Sequence, residues 1–203
     1  MTDAGPTPAA DLGAVVAALS YDGLPVSVVQ AAERRFADAV GVALAGAAEG
    51  AGALATETFA TLSTGPATLL GGGSAAVHDA AFANGVAGHC LDYDDVLAAI
   101  HVHPSVVVVP AVLAVAEARD LAGPDAIAAY VAGVEAQWYA AAPVTPGHYE
   151  RGWHATGTIG TVGATAAAGP LPGRARGAKR CVGRPHRHRR LADDGPDRGG
   201  ERP

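Results

Sequence analysis

Lysine is absent from the first 168 residues of this 203-residue chain. Arg34, Arg35, Arg119 and Arg151 are the only cations there, against 16 Asp and Glu. The resulting net charge of −12 makes this stretch a poor partner for nucleic acid, whose phosphates require cations. Aromatics make up only 5% of the chain, so a core must be built from Ala, Val and Leu. Closely packed Ala-rich helices fit that better than a β-sandwich. Two cysteines, Cys90 and Cys181, do not make a disulfide framework. The longest apolar run, Val106 to Ala116, has 11 residues. A bilayer span needs ~20. The opening MTDAGPTPAADLG lacks the basic region and apolar run of a secretory signal. A cytoplasmic protein with no membrane or nucleic-acid partner is therefore expected.

Hydrophobic residues reach 49%, enough for a sizeable core in one good-sized domain or a small pair. Ala9 to Leu19 has helical spacing. From Pro25 to Ala48, Val28, Ala32, Phe36, Val40 and Leu44 recur every four residues, the strongest amphipathic pattern in the chain. Leu54 to Leu62 is a weaker helix, and Ala67 to Leu70 a short extended piece ended by Gly71-Gly72-Gly73. Ser74 is expected to cap a helix running from Ala75 to about His89, with Asp79 beyond its first turn. Pro104 starts a further helix to about Arg119, which Pro110 should bend or delay. Gly123-Pro124-Asp125 opens another through Trp138. Pro143 to Gly152 is expected as loop, and Gly157 to Ala168 as a helix whose Gly157, Gly160 and Gly163 permit close backbone approach. With so few alternating segments, the fold class is all-α.

From Gly169 onward the sequence changes character. Ten of the 14 basic residues lie in this Arg-, Gly- and Pro-rich segment, which has a net charge of +6 and no helical period. One reading is a disordered basic arm, and with it a nucleic-acid partner resting on the arm alone. The other is translation out of frame: a one-base shift permits a turn followed by an Ala-rich helix. The abrupt loss of helical period favours the second.

The stretch His89 to Ser105, HCLDYDDVLAAIHVHPS, gathers three Asp, three His and a Tyr in a chain that is only 17% charged. A carboxylate beside an imidazole fixes its tautomer and suits proton transfer near neutral pH. On a helix, Asp92 and Asp95 would share a face while Asp94 points away. Metal binding through His101, His103, Asp94 and Asp95 is a rival, although no HExxH, CxxC or EF-hand spacing is present. A solvated helix end is a third reading. A second constellation, YERGWHATG, sets Arg151 and His154 before a Gly- and Thr-rich helix start, where free N–H groups favour an anion. Its alternative is a loop His stacked on Trp153. His78 and His148 lie outside both constellations and are read as surface or structural.

Taken together, AAFANGVAGHCLDYDD, HPSVVVVPAVLAVAEA, AGVEAQ and RGWHATGTIGTVGATAAA, in that order, resemble the MmgE/PrpD family over about Ala14 to Ala168. The family includes 2-methylcitrate dehydratase, cis-aconitate decarboxylase and related isomerases. The resemblance implies a helical domain over residues 1–168, with 169–203 as a separate tail, and a smaller lid domain in full-length members. It implies a homodimer, a small di- or tricarboxylate substrate, and no metal or organic cofactor. Carried over by motif, Asp92, His103 and His154 are the implied catalytic residues. Arg151 and Val96 are assigned to substrate binding, Val96 standing where the family often has Thr. The implied chemistry is proton abstraction beside a carboxylate and loss of a β-hydroxyl, which needs a base, an acid and cations. Since cations are scarce before Gly169, the chain as it stands is expected to show little or no activity. A non-catalytic helical protein for dimerisation or anion binding is the alternative.

Overall fold

The computed structural model describes residues 7–169; the expected change of character after Gly169 lies outside them. The described residues form eight α-helices and one two-stranded ribbon. Helix α1 (Pro8–Ala18) begins where Thr7 Oγ1 accepts the Ala10 N–H at 3.2 Å, with proline in its first turn. Helix α2 (Val26–Gly46) turns Val28, Ala32, Phe36 and Val40 towards the core, as its spacing predicts. Leu44, the next in that repeat, is exposed. A four-residue repeat advances about 40° per step on a 3.6-residue helix, so Leu44 lies roughly 160° round from Val28.

Helix α3 (Gly50–Leu62) leads into strands β1 (Ala67–Thr68) and β2 (Ser74–Ala75), which pair antiparallel as Ala67 with Ala75 and Thr68 with Ser74. Ser74 is therefore a strand residue and not a helix cap. Helix α4 (Val77–His89) starts two residues later than expected, which brings Asp79 into its first turn. Ser63 reaches across to this junction, accepting the Ala76 N–H at 3.0 Å and donating to Asp79 at 2.6 Å. Buried Asn84 holds the ribbon from α4, accepting from Leu70 N–H and donating to the Thr68 carbonyl, each at 2.9 Å.

Helix α5 (Pro104–Ala118) is apolar on nearly every side, and it occupies the centre, packed against α2, α4, α6 and α8. Pro110 does not delay its start; the helix begins at Pro104 and runs through Pro110. Val108, Val109 and Val112 of α5 meet Ala32 and Ala39 of α2 and Ala129 and Tyr130 of helix α6 (Gly123–Ala141) in the main core. Each buried valine of this kind contributes about 1.5–3 kcal/mol. The expected loop after α6 contains a one-turn helix, α7 (Gly147–Glu150). Helix α8 (Ala155–Ala168) then packs on α5 and α6. Its glycines differ in use. A Cβ at Gly163 would stand 2.8 Å from the Gly133 carbonyl and 2.5 Å from Gln137 Cγ, so this crossing requires glycine. Gly157 has only the His154 ring nearby, at 3.8 Å, and mediates no close crossing. Among the described residues, no single helix is long and apolar enough to cross a membrane.

Candidate active site

The first turns of α5 and α8 and the last turn of α4 deliver three imidazoles to one place. His89 ends α4, His103 is the N-cap of α5, and His154 is the N-cap of α8. The His89 ring is 5.0 Å from that of His103 and 6.5 Å from that of His154 by ring centroids. Thr156 ties the two helix starts together, its Oγ1 accepting the His103 backbone N–H at 3.0 Å.

The Asp-rich loop supplies the charge. It is not helical, so the face-sharing expected of Asp92 and Asp95 does not arise. Asp94, expected to point away, is the carboxylate at the centre. Its side chain is 2% exposed and accepts from His89 Nδ1 at 2.9 and 3.1 Å. His103 Nδ1 approaches the same carboxylate at 3.1 Å but makes no hydrogen bond and is buried. Asp92 is exposed, in left-handed backbone at φ 55°, and its carboxylate joins the edge of the group.

Asp95 turns the other way and does structural work. Its Oδ1 accepts the Ser105 backbone N–H at 3.1 Å, satisfying a first-turn donor of α5. Its Oδ2 accepts from Ser105 Oγ at 2.8 Å and from Arg35 Nη1 at 3.0 Å. Ser105 Oγ, having given its proton to Asp95, accepts from the Tyr130 hydroxyl at 2.7 Å. Burial pushes the Tyr130 phenol up to about 12, with the Asp95 charge acting in the same direction. The chain from Arg35 through Asp95 and Ser105 to Tyr130 thus pins the loop to α2, α5 and α6.

The rest of the loop is closed by the pairing of Leu97 with Val102, with Ile100 and Val102 buried against Ala155 and Ile159 of α8. His101 sits in left-handed backbone at the tip, its ring 5.1 Å from that of Tyr149 and tilted 33° to it. It takes no part in the imidazole group, so a His101–His103 ligand pair is not formed. His89, Asp92, Asp94 and His103 do place one nitrogen or oxygen each within 4.8 Å of one another. Within this group His89 Nδ1 and the Asp94 carboxylate are hydrogen-bonded to each other at 2.9 Å.

Several sequence expectations are corrected here. Trp153 stacks on His148, not His154, with ring centroids 6.2 Å apart. His148 is not isolated: its Nε2 lies 2.8 Å from Thr158 Oγ1. His78 is a surface residue, as expected, and pairs with Asp79 at 3.2 Å. His154 Nδ1 accepts the Gly157 N–H at 3.3 Å, so its ring occupies one of the N–H groups expected to be free for an anion. Arg151 is exposed at the end of α7, with no carboxylate paired to it among the described residues, and Val96 is exposed on the loop. Two members were not singled out from sequence: His89 as a site residue and Asp94 as its centre. The dense spacing of the stretch carried that signal, but which Asp faces the imidazoles depends on the loop's backbone.

No curated protein matches the chain. A family model, the MmgE/PrpD N-terminal domain, matches residues 10–177.

Proposed function

Because the chain belongs to the MmgE/PrpD family, we propose that its imidazole–carboxylate group is an acid–base site for a small di- or tricarboxylate. The observation that supports this reading is the convergence of His89, His103 and His154 from three different helix ends around buried Asp94, with exposed Asp92 at the rim. A reaction that removes a proton beside a carboxylate and expels a β-hydroxyl needs paired acceptor and donor groups within reach of one substrate. In this reading Asp92, His103 and His154, the residues carried over by motif, meet the substrate together with His89 beside them, and Asp94 and Asp95 hold the framework. Dehydration of a compound such as 2-methylcitrate is the proposed chemistry, with decarboxylation or isomerisation as variants on the same proton transfer.

Cations for the substrate carboxylates are the scarce component. The described residues contain four arginines and no lysine, and Arg35 is engaged by Asp95. Arg151 is unpaired and is the proposed carboxylate-binding side chain from this part of the chain; exposed Val96 is proposed to border the substrate. Further proposals are a homodimer and a cytoplasmic location.

Calorimetric titration of the full chain with 2-methylcitrate tests the reading. Binding is expected, weakened about tenfold or more in His103→Gln and in His154→Gln, the loss of a hydrogen bond to a charged ligand corresponding to about 1.5–3 kcal/mol. Equal binding by both variants, or none by a folded parent chain, contradicts it.

A further inference from the structure

The two outer partners of the imidazole group fix opposite tautomers. Asp94 is a carboxylate and can only accept, so the nitrogen of His89 facing it, Nδ1, carries the hydrogen. The Nε2 of a neutral His89 is then an open lone pair, on the side of the ring away from the buried carboxylate. At His154 the arrangement is reversed. The Gly157 backbone N–H can only donate, so His154 Nδ1 is the acceptor and its hydrogen sits on Nε2.

From these hydrogen bonds we infer that His89 is the site's proton acceptor, positioned by Asp94, and that His154 is its neutral hydrogen-bond donor. His89 is better placed for the first role than His103. It makes the aligned bond to Asp94, whereas His103 Nδ1 has none, and its side chain is 41% exposed against 20%. When a C–H bond beside a substrate carboxylate breaks, the proton forms a new N–H bond at His89 Nε2. The electron pair stays with the carbon and delocalises into the carboxylate. The imidazolium so formed lies against the Asp94 charge. His154, unable to gain a proton at Nδ1 without losing its cap bond, offers the Nε2 hydrogen to a substrate oxygen. A ligand of this site must therefore present an acidic C–H, or another donor, to His89 and an oxygen acceptor to His154, with the ring centroids 6.5 Å apart. Asp94 acts only through His89 and is a positioning residue. Groups facing His89 are Asp94 and Asp92 from the loop, His103 from α5 and His154 from α8.

The inference rests on the acid–base reading of the site, yet it is tested separately. Long-range proton–nitrogen correlation spectra of the full chain, 15N-labelled at histidine and kept above the pH at which the rings titrate, report each tautomer. His89→Gln and His154→Gln identify the two rings by loss of one set of signals. His89 is expected as the Nδ1–H form and His154 as the Nε2–H form, and Asp94→Ala is expected to move His89 towards the Nε2–H form. A wild-type His89 in the Nε2–H form, or both rings in the same form, overturns the inference. Should Asp94→Ala not fold, the wild-type spectrum still decides. Failure of 2-methylcitrate to bind would sink the acid–base reading of the ligand while leaving the tautomer result to stand or fall on the spectrum.

Discussion

The three carboxyl-bearing positions of the loop meet three different fates, and backbone conformation decides which. Asp94 is buried against two imidazoles, Asp95 is spent on the start of α5, and Asp92 is left exposed at φ 55°. Sequence spacing shows that acids and imidazoles are concentrated here, but helical periodicity misplaces them because the segment is a loop. Tyr130 makes the residue scale measurable. Its phenol is raised to about 12 in the folded chain from an ordinary value of 10.0. A raised acid favours the unfolded state once that state ionises, so the stabilising contribution is complete below pH 10 and is lost as pH rises towards 12. Denaturant unfolding as a function of pH should show this loss, and Tyr130→Phe should remove it from the pH profile. At lower pH the same substitution should cost about 0.5–1.5 kcal/mol, the net worth of the Ser105 hydrogen bond.

Helix starts and helix crossings carry the site at the next scale. Thr156 on α8 accepts from the backbone of His103 on α5, so the two N-termini are fixed to each other by one hydroxyl. Thr156→Val keeps the shape and leaves that N–H without its partner; a destabilisation of about 1–3 kcal/mol is expected in denaturant unfolding, together with weaker 2-methylcitrate binding. Behind this junction α8 and α6 cross at Gly163 and Gly133. Gly163→Ala places a methyl group against the Gly133 carbonyl and Gln137, and overpacking of this kind costs about 1–3 kcal/mol, readable as a lowered Tm. Gly157→Ala, whose Cβ would make only an ordinary 3.8 Å contact with His154, should change stability far less and serves as the control. Most helices were legible from capping residues and apolar period. The exceptions have local causes. Ser74 pairs with Thr68 across the glycine turn instead of capping α4, and the short α7 lies in a segment where Pro143, Pro146 and Gly147 read as loop. Leu44 is exposed because a four-residue repeat drifts off a 3.6-residue helix.

At the scale of the whole molecule, the apolar helix α5 organises everything else. Its central position follows from its sequence, since a helix apolar on all sides must be surrounded. What surrounds it determines the chemistry: α4 ends and α8 begins beside the first turn of α5, so His89, His103 and His154 meet although they are 65 positions apart in the chain at the extremes. His103 and His154 were legible as candidates because their motifs resemble those of a family; Asp94 was legible only as one acid of a cluster, and its central place, like the membership of His89, emerges from the packing. The central claim is that this meeting point receives a small carboxylate. It is tested most directly by following the histidine ring signals of the full chain during titration with 2-methylcitrate. The account predicts that His89, His103 and His154 shift together with one binding curve while the surface His78 does not. Saturable binding that leaves those three rings unmoved, or shifts confined to other histidines, would contradict it.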